Sequence, residues 1–403
     1  MTTHKDAIRV LMLVATSVAT DTRVLREAES LVREGYELLI IGRNVPDDYT
    51  APKGITVYSA TSGKGLRPSS MGSMTLNRAK TSKRMPLHMR AIRWALLPLH
   101  RARSFQSWAD SAYQVALTLE FDLVHSHDYT ALELGSRLAA ERNLPFIHDS
   151  HEWWVGKQRQ HRPTPISDLR EAKVEQKLLQ RAAAVITVGE SIAELMRTKR
   201  GVKNVYVVRN SFPDSGNQTK KIASPPRGVI YAGRIDAYRE LEVIIGVSQE
   251  IDLQISWMGE HENQWAAKFV PLARRAGVEV LSSQPLSAVT TAMQNAGLVF
   301  VTHSNQFESH RLAMPNKLFH AIHAGVPVIA TDVTELGNVV RQFDIGELYE
   351  PGNVKSMAAA VSRAVSRHAL LIENLNRAKS ELSWERDSDV LSKAYKQVLA
   401  EVR

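Results

Sequence analysis

Ile8–Ala15 is an unbroken apolar run, the mark of a strand covered on both faces. Val24, Leu25, Ala28, Leu31 and Val32 follow at helical spacing, with Asp21 at the N-cap position and Gly35 where the helix should stop. Leu38–Ile41 is a second apolar strand. Strand, helix and strand within about 35 residues is the repeating unit of a doubly wound parallel sheet. The rhythm continues through strands predicted at Ile55–Tyr58, Asp122–His125, Phe146–His148, Ala184–Thr187 and Val205–Val208. It breaks around Ser224-Pro-Pro-Arg-Gly and restarts with strands at Val229–Ala232, Leu253–Trp257, Val278–Leu281, Leu298–Val301 and Val326–Ala330. The last sixty or so residues read as helices. The predicted class is therefore α/β, with two Rossmann-like domains over residues 1–213 and 227–382, a linker over 214–226 and a helical tail over 383–403. In open α/β sheets, ligands bind beyond the carboxyl ends of the strands, and two such domains make a cleft.

Length and composition bound the chemistry. A chain of 403 residues suits two domains. It has no cysteine, which excludes disulfides, a thiolate nucleophile and cysteine-based metal sites. The longest apolar runs fall far short of the ~20 residues needed to cross a bilayer. The first residues lack a signal-peptide pattern, so the expected location is cytoplasmic.

The formal charge of +9 is concentrated. Residues 61–109 contain ten Lys or Arg and no acid, which leaves the rest of the chain close to neutral. Met85, Met89, Ile92, Leu96 and Leu99 lie in the same stretch at helical spacing, although Pro98 should end or kink that helix. A basic helix with an apolar stripe suits an anionic membrane surface, which would make the protein peripheral on the inner face of the cell membrane. The same stripe also suits ordinary core packing with solvated charges. Helix-turn-helix, zinc-finger and RNP patterns are missing, so nucleic acid is not an expected partner.

Several segments just after strands carry chemistry. Pro315, Asn316 and Lys317 open a predicted helix that ends at Gly325. A helix start with a lysine suits phosphate, and it equally suits a well-capped helix with nothing bound. Arg234 follows the strand Val229–Ala232, and Arg239 comes five residues later. Two guanidiniums there could clamp a diphosphate or simply be solvated. His127, Asp128, Asp149, His151 and Glu152 follow two strands of the first half and are candidates to bind sugar hydroxyls. Their spacing is not that of a helical zinc motif, and no metal is expected. Arg23 is a weaker candidate beside the N-cap Asp21. The loop Thr16–Thr20 has no glycine and there is no Walker A sequence, which argues against dinucleotide and P-loop chemistry. The D-x-D at Asp387 and Asp389 lies in a predicted helix and reads as chance.

Taken together, Asp21-Thr-Arg-Val-Leu-Arg-Glu-Ala, Asp122-Leu-Val-His-Ser-His-Asp, His148-Asp-Ser-His-Glu-Trp, Val208-Arg-Asn-Ser-Phe-Pro, Tyr231-Ala-Gly-Arg, Pro315-Asn-Lys-Leu-Phe through Gly325-Val-Pro-Val-Ile, and Ser383-Trp-Glu resemble the GT-B fold glycosyltransferases of the GT4 type, Pro-Asn-Lys branch. The resemblance spans nearly the whole chain. It implies a nucleotide-diphosphate sugar donor in the C-terminal half and an acceptor, such as a lipid-linked sugar or cell-envelope glycan, mainly on the N-terminal half. It implies retention of anomeric configuration, no cofactor, usually no metal, and a final helix that crosses back to the first domain. Arg234 matches the diphosphate arginine, and Arg239 stands where lysine is usual. Glu240 replaces a customary glycine. Gly233, Pro315, Asn316 and Lys317 match the phosphate-binding turns, and Gly259, Gln284 and Pro285 lie where the base is bound. His127 matches a donor-sugar contact. Arg23, Asp128, Asp149, His151 and Glu152 fall on the acceptor side. Leu312 and His320 stand where two glutamates are usual, the second of which holds the ribose. Two alternatives stay open: a GT-B enzyme of another reaction, such as a nucleotide-sugar epimerase, and, suggested by Leu312 and His320, a non-catalytic binding or scaffold protein.

Overall fold

The computed structural model describes residues 7–61, 106–157, 165–214 and 224–401. Most of the basic segment, with its candidate membrane helix, and residues 215–223 of the expected linker lie outside the described residues.

Strands β1 (Arg9–Val14), β2 (Glu37–Arg43), β3 (Ile55–Ala60), β4 (Leu123–His127), β5 (Phe146–Ser150), β6 (Ala184–Thr187) and β7 (Val205–Val207) form one sheet in the order 3-2-1-4-5-6-7. Strands β8 (Gly228–Ala232), β9 (Gln254–Met258), β10 (Glu279–Leu281), β11 (Gly297–Val301), β12 (Val328–Thr331) and β13 (Gly346–Tyr349) form a second, in the order 10-9-8-11-12-13. The ladders pair in parallel throughout. Each sheet reverses its strand order once, at β1/β4 and at β8/β11. Those two switch points are where a doubly wound sheet opens a crevice.

The helices are α1 (Thr22–Arg33), α2 (106–117), α3 (Asp128–Arg142), α4 (Pro165–Leu179), α5 (Glu190–Arg200), α6 (Leu241–Val247) and α7 (Gln264–Arg275). They continue with α8 (Leu286–Ala296), α9 (Glu308–Arg311), α10 (Asn316–Ala324), α11 (Thr334–Phe343), α12 (Val354–Ser366), α13 (His368–Glu381) and α14 (Trp384–Glu401). Among the described residues no helix is long and apolar enough to cross a membrane.

Local chemistry explains these boundaries. The interior of β1, Val10–Val14, is buried almost completely because helices cover both faces of the sheet. Asp21 accepts a hydrogen bond from the Val24 amide and caps α1, which buries Val24, Ala28 and Leu31. The strand expected at Val326–Ala330 begins two residues later, because Pro327 has no amide to give the ladder.

The tail returns to the first sheet. Trp384, Leu391, Tyr395 and Val398 of α14 are buried in one cluster with Val10, Met12 and Val24. Trp384 Nε1 donates to Ser30 Oγ at 2.8 Å, and Tyr395 OH meets His125 Nδ1 at 2.7 Å. The two segments that pass between the halves pair with each other at Phe212 and Ser383. Asp387, part of the D-x-D sequence, is fully buried and holds Arg209 and Ser211, so this one acid fastens the tail.

Candidate active site

In the second half, the turn after β8 is built for close approach. Gly233 has φ +145°, and a Cβ there would stand 2.4 Å from Lys317 Cε. A Cβ on Gly259 would stand 1.9 Å from the carbonyl oxygen of Gly233. Lys317 lies in the first turn of α10, its ammonium 4.8 Å from the Tyr231 ring centroid. Pro315 occupies the N-cap and makes no side-chain cap, and the first turn holds no acid. The Leu318 amide donates to the Pro315 carbonyl at 2.9 Å, and the rest of this helix start, with its dipole, can meet an anion. Burial, with Arg239 alongside, pushes Lys317 down to about 7.

Arg239 is pinned to the end of β11. Its Nη1 lies 2.9 Å from His303 Nε2, and its carbonyl accepts from Thr302 Oγ1. His310 packs 4.7 Å from His303. Burial, then Arg239, holds His303 well below its ordinary value and His310 at about 4, so both rings are neutral. Arg234 is 60% exposed and 3.6 Å from Asp236. Glu240 adopts φ +56°, the left-handed conformation that explains the glycine usual there, and accepts from the Gly352 amide at 2.5 Å. The structure thus gathers Gly233, Arg239, Gly259 and Lys317, with Arg234 exposed in the turn that follows Gly233.

Gln284 and Pro285 are exposed just before α8. His320 Nε2 lies 2.9 Å from Thr290 Oγ1 on α8, and its ring stacks on Phe212 at 5.5 Å. Burial, then His323, pushes His320 down to about 4, so it offers a neutral ring where a carboxylate is usual. Leu312 lines a groove of about 530 Å³ between α9 and α5, together with Glu190, Glu194, Glu308 and Arg311.

The first half presents a buried network. Arg23 donates through Nε and Nη2 to both oxygens of Asp149, at 2.7 and 2.9 Å, and through Nη1 to the Val208 carbonyl at 2.8 Å. Its Nε is also 3.1 Å from Glu27 Oε1. His151 bridges Asp149 and Asp128 at 3.0 and 3.3 Å. Burial opposes its charge, but Asp128 and Asp149 outweigh that and hold it well above its ordinary value, so it is an imidazolium. Burial, reinforced by Asp149, pushes Glu27 up to about 8 against the pull of Arg23.

Arg23 and Asp149 are 6% and 0% exposed and spend their polar atoms within the network. His127 is 1% exposed, its Nδ1 3.3 Å from Asp149 Oδ2. Asp128, His151 and Glu152 remain at partly exposed positions, Glu152 paired with Lys157.

Ligand atoms of Glu27, His125, His127 and Asp149 all lie within 4.8 Å of one another, a set that could hold a metal ion. The Arg23 guanidinium, however, already engages both Asp149 oxygens and Glu27, so a metal would have to compete with a resident cation.

Sequence reasoning missed His303, His310 and Glu27, and the partly exposed Tyr129–Trp154 stack at 4.5 Å. His303 stands two residues past β11, so inspecting every strand end would have found it. Glu27 lies within the Asp21–Ala28 motif, but its spacing reads as an ordinary helix position.

Residues 19–211 match the family model of the glycosyl transferase 4-like domain, and residues 226–367 match that of glycosyl transferases group 1. The chain is 24% identical over 351 residues to an exopolysaccharide phosphotransferase of Streptomyces coelicolor, a match covering 84% of this chain. It spans only 34% of that relative's length. Among solved structures, sucrose-phosphate synthase from Thermosynechococcus elongatus superposes with a TM-score of 0.71 at 16% identity, covering 98% of this chain and 100% of the other. Anabaena HepE in complex with UDP gives 0.67 at 14% identity, covering 96% and 100%. The same protein in complex with UDP-glucose gives 0.66 at 14% identity, covering 96% and 99%. Two consecutive family models over most of the chain, on two facing doubly wound sheets, place this protein among the glycosyltransferases of GT-B fold.

Proposed function

We propose that the protein is a retaining, GT4-type transferase that moves a sugar from a nucleotide-diphosphate sugar to a saccharide or lipid-linked acceptor in polysaccharide or cell-envelope synthesis. The observation that carries this is the convergence of Arg239, Lys317 and the open start of α10 on the glycine turn after β8. UDP and UDP-glucose in HepE make UDP the first donor nucleotide to test.

In the reaction, the bond from the sugar's anomeric carbon to the diphosphate oxygen breaks. The acceptor hydroxyl attacks from the same face and passes its proton to the departing phosphate. Arg239, Lys317, Arg234 and the α10 amides stabilise the charge that develops on the diphosphate. Loss of one such partner costs roughly 3 kcal/mol, about a hundredfold in rate. On the opposite wall, the partly exposed Asp128 and His151, just past β4 and β5, would meet the sugar and acceptor, with the buried His127 ring packed against His151 at 5.7 Å. His320 offers the ribose a ring nitrogen. No metal is required by this scheme. The ten basic residues of 61–109 would bring the acceptor side to an anionic membrane.

Thermal shift with UDP, GDP, ADP and dTDP tests the donor reading. A ligand at about 100 times its Kd stabilises by about 2.7 kcal/mol, a shift of several degrees. A shift with one nucleoside diphosphate names the donor class. Silence with all four would overturn the reading in favour of a non-catalytic binding protein.

A further inference from the structure

We propose that His303 is a positioning residue for Arg239, fixing its guanidinium through a neutral acceptor so that its whole charge remains available to the donor diphosphate. The proposal rests on Arg239 contacting that diphosphate. Arg239 Nη1 and His303 Nε2 are 2.9 Å apart. A guanidinium only donates, so Nε2 must accept, and the ring proton must sit on Nδ1. An imidazolium would have no lone pair to offer and would add a cation beside Arg239 and Lys317.

The surroundings enforce the neutral form. His303 is 6% exposed, and its amide donates to Thr331 Oγ1, which is itself bonded to Tyr349 OH. Arg239, His310 and Lys317 are the titratable groups that face it, and among the described residues no carboxylate pairs with it or with Arg239. Burial, with Arg239 and Lys317 alongside, favours the uncharged ring. Nδ1 is buried without a partner. That cost is consistent with a ring oriented for its other nitrogen.

The choice of acceptor has a consequence. A free arginine side chain must give up its rotamer freedom to clamp a ligand, so an unanchored Arg239 would clamp poorly. A carboxylate would anchor it but cancel its field toward an anion. A neutral imidazole anchors it without cancelling anything.

Isothermal titration with UDP, and with inorganic pyrophosphate as a base-independent probe, tests this in the full chain. Arg239→Ala should weaken both probes at least tenfold. His303→Leu should weaken them about tenfold, His303→Gln should restore affinity to within about threefold, and His303→Glu should weaken them although it can accept the same bond. The double variant His303→Leu/Arg239→Ala should be no weaker than Arg239→Ala alone. If His303→Leu does not fold by near-UV circular dichroism, His303→Phe keeps the ring contact with His310 and replaces it. Unchanged binding in Arg239→Ala, or no binding of either probe by the native protein, would bring down the diphosphate reading and this proposal together. Weak binding in Arg239→Ala with native binding in His303→Leu would bring down this proposal alone. So would additive losses in the double variant, which mark a merely structural histidine.

Discussion

Glu335 in α11 accepts the backbone amide of Glu190 at 2.8 Å, and of Ser191 at the same distance, capping α5 from the opposite half of the molecule. Its carboxylate is buried, and Gly189 at the N-cap supplies no side-chain acceptor of its own. A second bond across the cleft runs from Trp153 Nε1 to Glu308 at 3.0 Å. Glu335→Ala should cost about 1 kcal/mol as a lost cap and also favour an opened cleft. Small-angle scattering of the ligand-free protein should show a larger radius of gyration. An unchanged radius together with an unchanged melting temperature would refute this.

The contact between Gly259 and Gly233 leaves no room for compromise. The atom that a Cβ on Gly259 would meet, at 1.9 Å, is a backbone oxygen, so no side chain can swing aside. Gly259→Ala should displace the turn after β8 and weaken nucleoside-diphosphate binding more than tenfold. Circular dichroism should still report a folded protein. Native affinity in that variant would place the ligand elsewhere.

Lys317 should make diphosphate binding proton-linked. At about 7, its ammonium is largely neutral at about pH 8 in the free protein. A diphosphate restores the charge, so binding should take up as much as one proton there, and progressively less below pH 7. The depressed value has a matching effect on stability. The unfolded chain binds the extra proton between 7 and the ordinary lysine value, so this group penalises the fold below about 7 and the penalty fades as pH rises. Calorimetry in buffers of different ionisation heat measures the uptake. Lys317→Arg should abolish it, because arginine does not titrate.

Arg23 and Asp149 should matter to stability before they matter to turnover. Arg23→Met leaves Asp149 buried with one cation fewer and should cost roughly 3–5 kcal/mol in urea unfolding near pH 7. Burial raises the Asp149 carboxyl, but Arg23 and His151 outweigh it and hold it well below its ordinary value. Its contribution is therefore present above the ordinary aspartate range and is lost as pH falls through the depressed value. The gap between native and variant proteins should narrow in acid. A gap that widened in acid would contradict the ion-pair account.

Much of the second-half site was legible in the sequence. Gly233, Arg234, Arg239, Asn316 and Lys317 sit just past strands or at a helix start, positions that the parallel topology turns toward the cleft. His303 obeys the same rule but belongs to no motif. Arg23 and Asp149 show where that rule stops informing. A charged residue beside a strand end looks like a ligand contact until its partner is known, and 126 residues separate this pair. Tyr129 and Trp154 escaped notice because a stacked pair has no sequence spacing when its members come from different strand ends.

Apolar runs, helical periodicity, caps and breakers determined the class of fold and the places where ligands enter, because backbone and burial preferences act within a few residues. Tertiary structure decided which charges face the cleft and which neutralise one another inside. It also decided the protonation of Lys317, His303 and Glu27, because burial and Coulomb interactions depend on distances between residues far apart in the chain.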